Sequence, residues 1–264
     1  MSNILLETRT GTIAILTLNR PQARNALSLE LLRTLEDAII RLGADQAIHV
    51  ITIAAEGPAF CAGHDLKEIT AGREASDKGR AFFEETMAAC ATMMQAVVNC
   101  PKPVIASVHA TATAAGCQLV ASCDLAVASS EARFATPGVN IGLFCSTPMV
   151  ALSRNVSRKH AMEMLLTGDL ISAEQAQAFG LVNQVVAPEN LADETQALAQ
   201  KIASKAPRVL KIGKEAFYAQ AEMPLSQAYD YAAHVMVENL LAEDAEEGIG
   251  AFVEKRVPSW QPPE

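Results

Sequence analysis

Three observations predict an α/β fold. Near the N-terminus the sequence runs through a strand, helix, strand rhythm. Residues 104–128, VIASVHATATAAGCQLVASCDLAVA, carry large apolar side chains only at their ends, around a centre of Ala, Thr and Gly that suits a strand, a tight turn and a helix start. From residue 190 onward the pattern is purely helical, punctuated by Pro207 and Pro224.

Taken in order, residues 12–18 (TIAILTL) alternate β-branched and other residues as a strand that ends at Asn19-Arg20-Pro21. Ser28 then caps a helix with Leu31, Leu32, Leu35, Ile39 and Leu42 on one face, stopping near Gly43. Residues 49–54 form a second core strand, and residues 56–67 (EGPAFCAGHDLK) read as a loop of turn formers. Residues 68–80 are charged, contain glycine and lack periodicity, which reads as a mobile loop over a helix start. A helix over about 81–98 ends at Pro101-Lys-Pro103. After the small-residue stretch, a helix over about 158–166 is closed by Gly168. Ser172 and Gln175 form a capping box for a short helix ended by Gly180, and residues 181–186 read as a strand. The last helix covers about 244–256. The expected division is a core over residues 1–189 and a helical region over 190–264.

Half of the 264 residues are hydrophobic and 19% are charged, enough for a sizeable core and too apolar for a disordered chain. A net charge of −9 argues against a nucleic-acid surface, while leaving room for a local basic pocket that takes a phosphorylated ligand. His109, Gln118 and Asp124 within the apolar stretch argue against a membrane span. The six cysteines show no CxxC pair and no zinc-like spacing, so they read as small buried hydrophobes with no metal expected. The first residues lack a secretory or Arg/Ser-rich leader pattern, which makes the cytoplasm the expected location.

The small-residue turn has a chemical reading of its own. Unpaired N–H groups and the positive end of a helix dipole are aimed at whatever stands before it, a ready site for an anion or a developing oxyanion.

Four blocks in order carry a resemblance over nearly the full length: Asn19-Arg-Pro with Asn25-Ala-Leu; FCAGHDLK at 60–67; Lys102-Pro-Val-Ile-Ala106 through Gly116-Cys-Gln-Leu to Cys123-Asp124; and Glu163-Met-Leu-Leu-Thr-Gly168 with Ala251-Phe-Val-Glu-Lys-Arg256. The chain resembles the crotonase family, the enoyl-CoA hydratase/isomerase group, and within it the enoyl-CoA hydratase domain-containing branch. The resemblance implies a ββα spiral with a C-terminal helical trimerisation region, assembled as trimers or dimers of trimers. It also implies an acyl-CoA thioester as ligand, with coenzyme A entering as part of the substrate and no bound cofactor.

The resemblance makes the backbone N–H groups of His64 and Ala115 the pair that holds a thioester oxygen when it becomes enolate-like. Losing one such donor costs about 3–4 kcal/mol of transition-state stabilisation. Ala115 stands where many relatives have Gly. Contacts to CoA are implied at Ala26, Ala62, Asp65, Leu66 and Lys67, with Arg24 on a phosphate and with Phe252 and Lys255 reaching CoA from this or a neighbouring subunit. Taken alone, Asp65 reads as a helix cap.

Two departures set the chemistry. The family's paired glutamates fall on Gln118, which cannot exchange a proton near neutral pH, and on Gly138, which has no side chain. General acid–base assistance is worth roughly 10²–10⁴-fold in rate, so ordinary hydration is expected to be very weak. Cys145 and Ser146 lie where relatives carry other functional groups, yet read more simply as a buried thiol and a cap. Three readings stay open: a hydratase or isomerase using another route, a non-catalytic acyl-CoA-binding or regulatory protein, and base-free enolate chemistry such as decarboxylation of a malonyl-CoA-like thioester.

Overall fold

The computed structural model describes residues 4–260. A six-stranded sheet forms its centre. Strands β2 (Ile13–Leu18), β3 (Val50–Ala55), β5 (Val104–Val108), β7 (Leu125–Ser129) and β10 (Gln184–Val186) run parallel in that order, and β1 (Leu5–Thr10) pairs antiparallel with β2 at the edge. Parallel strands buried on both faces read as near-continuous apolar runs, and the period of two sorts their side chains. Ile13, Val50, Ile105 and Val127 point to one face; Ala14, Leu16, Ile51, Ile53, Val104 and Ala106 point to the other.

That second face is covered by α1 (Leu29–Ala44) and α3 (Arg80–Asn99). Ser28 starts α1 as expected, its hydroxyl accepting the Leu31 N–H at 3.2 Å. Leu31, Leu32, Leu35, Ile39 and Leu42 are fully buried, each contributing about 1.5–3 kcal/mol of transfer free energy. The first face is covered by α8 (Leu191–Ala203), through Leu191 and Ala199. By its pattern this helix belongs with the helical tail; by its packing it lies on the sheet.

A second sheet consists of β4 (Ala59–Cys61), β6 (Thr111–Thr113) and β8 (Arg133–Ala135) in parallel, with β9 (Ile171–Ser172) antiparallel to β8. The pairs β3/β4, β5/β6 and β7/β8 each send one strand to each sheet before a helix returns the chain. This repeat is the expected ββα spiral.

Several expectations need correction. The 56–67 loop contains β4, and the helix start expected within the mobile segment is a full helix, α2 (Leu66–Gly72), started by Asp65. Glu68 on α2 accepts the Leu29 N–H at 3.0 Å, so α2 closes the N-terminus of α1 and its charges are employed locally. The strand expected over 181–186 is confined to β10, because the Leu181 N–H completes the end of α7 (Ala173–Phe179) on the Ala176 carbonyl. An unexpected helix, α5 (Pro148–Asn155), precedes α6 (Arg158–Thr167).

The remaining helices are α9 (Pro207–Ala221), α10 (Leu225–Leu240) and α11 (Glu243–Glu254). Lys214 fixes α9 to the core: its ammonium meets Asp124 at 2.7 Å and the Val97 and Lys102 carbonyls at 3.1 and 3.0 Å, while the Tyr218 hydroxyl donates to Asp124 at 3.0 Å. Asp124 also accepts the Val104 N–H at 2.7 Å, so it is a structural hub where β5 begins.

Candidate functional site

Between β2 and α1 the chain makes two consecutive left-handed residues, Arg24 (φ 51°) and Asn25 (φ 53°). Asn tolerates this conformation, and here it is also buried and fully used. The Asn25 amide donates to the Glu56 and Ala59 carbonyls at 2.7 and 2.8 Å, and its oxygen accepts the Arg20 N–H at 2.8 Å. The segment after it straps down the Cys-Ala-Gly-His-Asp loop. Ala62 N–H donates to Arg24 O at 3.1 Å, Leu27 N–H to Gly63 O at 2.7 Å, and Asp65 N–H to Leu27 O at 3.2 Å. In such a parallel bridge the residue between the two bonded neighbours points its own N–H the other way. That residue is His64.

The second loop follows β6. Ala114 sits at φ 50°, ψ −120°, a conformation that favours glycine, and the next residue begins α4 (Ala115–Ser122). The positive φ therefore falls on Ala114, and Ala115 is an ordinary first helical residue. Its N–H is one of the helix's unpaired donors. Gly63 (φ 94°) brings the two loops together: a Cβ there would lie 2.8 Å from the Ala114 Cβ and 3.4 Å from the Ala115 nitrogen. Gly116 is held as tightly, since a Cβ on it would lie 2.2 Å from the Cys61 carbonyl oxygen. Among the described residues neither His64 N–H nor Ala115 N–H meets an acceptor. Two free donors on abutting loops can hold one negatively charged oxygen.

A cleft of about 720 Å³ is lined by Arg24 from the turn before α1, Ala62 from the Cys-Ala-Gly-His-Asp loop, Thr111 and Thr113 from β6, and Pro137 and Asp169. The His64 ring does not add a charge. Burial lowers its pKa against a weaker pull from the Leu27 backbone, and neither ring nitrogen has a hydrogen-bond partner among the described residues. His109 is structural, one ring nitrogen bonding the Gly57 carbonyl at 2.8 Å.

Gln118 and Gly138 are both packed into the fold. Gln118 is 5% exposed, and its side-chain oxygen accepts from the Cys90 thiol at 4.0 Å, between α4 and α3. Gly138 lies in the 3₁₀ turn of residues 137–141, and the space a side chain would need is taken: a Cβ would sit 2.8 Å from the Leu143 carbonyl and 2.9 Å from Cys145 Sγ. The thiol also accepts the Gly138 N–H at 3.3 Å, and burial raises its pKa, the opposite of an activated nucleophile. Ser146 is not a cap; its hydroxyl donates to the Phe144 carbonyl at 3.3 Å.

Of the residues expected at a CoA site, Arg24 and Ala62 line the cleft. Ala26 is buried and gives its carbonyl to the Arg20 guanidinium. Asp65 is committed twice: its carboxylate caps α2 through the Lys67 N–H at 3.0 Å and pairs with Arg20 at 2.9 Å. Burial raises its pKa, but these partners outweigh that and hold it below the ordinary value. Leu66 and Lys67 lie exposed at the start of α2. Phe252, 84% exposed, and Lys255 sit at the end of α11, outside the cleft lining. Sequence reading assigned no role of their own to Asn25, Ala114 and Asp169. Only Asn25 had a visible signal, a turn-forming residue just before the cap of α1.

The family model for enoyl-CoA hydratase/isomerase matches residues 8–263. Among curated relatives, the mitochondrial enoyl-CoA hydratase domain-containing protein 3 of Rattus norvegicus is 49% identical over 93% of this chain and 80% of its own length. That of Xenopus laevis is 51% identical over 92% and 81%. Among solved structures, an enoyl-CoA hydratase of Mycobacterium smegmatis superposes with a TM-score of 0.94 at 51% identity, covering 98% of this chain and 99% of that one. The human enoyl-CoA hydratase domain-containing protein 3 gives 0.92 at 46%, covering 98% and 100%. The expectation of a cytoplasmic protein is overturned by the curated relatives, since five at 47–51% identity are named mitochondrial. Fold, block order and these matches agree: the chain belongs to the enoyl-CoA hydratase/isomerase family, the crotonases.

Proposed function

We propose that the cleft binds an acyl-CoA thioester, its carbonyl oxygen accepting from the N–H groups of His64 and Ala115, and that ordinary hydration at this site is very slow. The observation that carries this reading is the pair of unpaired donors on loops pressed together at Gly63. Such donors favour the oxygen more as negative charge builds on it, and they need no side chain to do so. Arg24 at the cleft supplies a cation for a CoA phosphate. Exposed apolar side chains on α9–α11, among them Phe217, Tyr229, Leu241, Phe252 and Val253, support a trimer or a dimer of trimers in which Phe252 and Lys255 reach a neighbouring subunit's CoA.

Adding water across a double bond needs a proton taken from the water and one given to the α-carbon. Gln118 transfers neither, and no side chain extends from Gly138. A non-catalytic acyl-CoA-binding role is the second reading, and one observation favours it: Cys145 fills the space beside Gly138, leaving no opening for an acid there. Calorimetry with crotonyl-CoA, together with loss of enoyl absorbance, tests both halves. Binding with turnover at least a hundredfold below that of a glutamate-bearing family member is expected. Absence of binding refutes the site, and rapid hydration refutes the inference from Gln118 and Gly138.

A further inference from the structure

Arg20 lies just past β2, and its guanidinium, on a side chain 17% exposed, forks onto two loops. One terminal nitrogen donates to the Ala26 carbonyl and the other to the Asp65 carboxylate at 2.9 Å. Ala26 precedes Leu27 and Asp65 follows His64, the two residues that face each other in the parallel bridge. The backbone of Arg20 is fixed as well: its N–H donates to Asn25 Oδ1 at 2.8 Å, and its carbonyl accepts from the Ala23 and Asn25 N–H groups at 2.9 and 3.0 Å. A thioester in the cleft gives this cation no direct task.

Its bonds run in series toward the site. A trans peptide group is planar, with its C=O and N–H pointing in opposite directions. The Ala26 carbonyl that accepts from Arg20 shares its peptide group with the Leu27 N–H, which donates to the Gly63 carbonyl at 2.7 Å. The Gly63 carbonyl shares its peptide group with the His64 N–H, one of the two free donors. A path thus leads from the guanidinium through two peptide groups to that donor, with every N–H pointing the same way. Each bond in such a chain polarises the next by about 10–30%, most effectively where water is excluded. Leu27 is 1% exposed and Gly63 is buried. The bond to Asp65 acts on geometry, fixing the residue after His64 as the Leu27 bond fixes the residue before it. Because the Asp65 charge offsets that of Arg20 at a distance, the influence passes along the bonded path.

We propose that Arg20 is a positioning residue for the His64 N–H, orienting and polarising it for the thioester oxygen through the Ala26–Leu27 and Gly63–His64 peptide groups. The inference rests on the reading of His64 and Ala115 as an oxygen-holding pair and deepens it. It also separates the two arginines of the turn before α1. Arg24 is the cation for a CoA phosphate, whereas Arg20 touches no ligand and acts on the oxygen through the main chain.

The test compares butyryl-CoA with butyl-CoA, the thioether that lacks the carbonyl oxygen, by calorimetry on wild-type protein, Arg20→Met, Arg20→Lys and the double variant Arg20→Met with Asp65→Asn. The double variant avoids leaving the buried Asp65 carboxylate unpaired, and melting curves verify that each protein is folded. Wild-type protein should favour the thioester. Both Met variants should cut that preference by about fivefold, the net worth of one neutral hydrogen bond, while butyl-CoA affinity changes by less than about twofold. Arg20→Lys keeps a cation on a single nitrogen that cannot span both acceptors, and it should retain part of the preference. In infrared difference spectra, the carbonyl stretch of bound butyryl-CoA, isotope-labelled at the carbonyl carbon, should lie below its free value in wild type and return toward it in the Met variants. A merely structural Arg20 would weaken both ligands together with the ratio and the stretch unchanged, which overturns the proposal and leaves the site standing. Equal affinity of wild-type protein for thioester and thioether removes the oxygen-holding pair and the proposal with it.

Discussion

Restoring a glutamate at position 138 should first of all damage the fold. A Cβ on Gly138 would be 2.8 Å from the Leu143 carbonyl oxygen and 2.9 Å from Cys145 Sγ, and real Cβ atoms do not come that close to either. The 137–145 segment must therefore move, and overpacking of this kind costs about 1–3 kcal/mol. Gly138 is buried, so the new carboxylate adds a desolvation penalty unless it finds a donor. In a chain of this size each kcal/mol lowers the melting temperature by roughly 2–4 °C. Gly138→Glu should thus melt several degrees below wild type in differential scanning calorimetry. Adding Cys145→Ala removes the thiol and should recover part of the loss, leaving the contact with Leu143. Hydration of crotonyl-CoA should follow the same order: no gain in Gln118→Glu with Gly138→Glu, and a gain only when Cys145→Ala is added. An unaltered melting temperature for Gly138→Glu alone would refute the claim that Cys145 occupies the space of an acid.

Ala114→Gly should stabilise the protein. A non-glycine residue at φ 50°, ψ −120° carries strain of about 1–3 kcal/mol, and glycine gives back about 0.5–1 kcal/mol in backbone entropy. The melting temperature is therefore expected to rise by a few degrees, and a fall would mean that the Ala114 methyl packs more favourably than its backbone is strained. Asp65 predicts an acid limb. Its folded pKa is depressed below 3.8, so the stability it contributes is present above that value and is lost as pH falls through the folded pKa. Asp65→Asn should be less stable than wild type at pH 7 and should converge on it below about pH 3 in urea denaturation; parallel curves at all pH values would remove Asp65 from the account.

Strands β2, β3 and β5 were legible because they are five or six residues long and rich in buried apolar residues, so an apolar run identifies them, whereas β7 was hidden in the stretch read as a helix start. The edge strand β1 was not legible, since only Leu5 among its residues is buried and the rest have no pattern to display. Strands of two or three residues, such as β4, β6, β8 and β9, are shorter than any period and exist because each is paired from both or one side. The same contrast holds at the site. Small residues marked where backbone would approach a ligand, yet nothing in the run Ala114-Ala115-Gly116 tells which residue bears the positive φ. Asp169 is invisible for a different reason: its place depends on the β8/β9 register, which joins residues about forty apart in sequence.

On the proposed reading, binding and proton transfer depend on different parts of this chain, so one can be retained without the other. The two candidate donors are main-chain groups, held by Gly63 and Gly116, where a Cβ would collide with the opposite loop. Their geometry therefore survives any exchange at His64 or Ala115 that leaves the backbone in place. Proton transfer would depend on side chains at 118 and 138, and each position has been absorbed into packing, Gln118 against Cys90 and Gly138 against Cys145. Those thiols are themselves buried, Cys90 with its pKa pushed up to about 12, so they fill space without offering a proton at neutral pH. On the proposed reading, acid–base chemistry here involves at least three positions, 118, 138 and 145, and supplying it requires the space to be cleared before the acid is introduced.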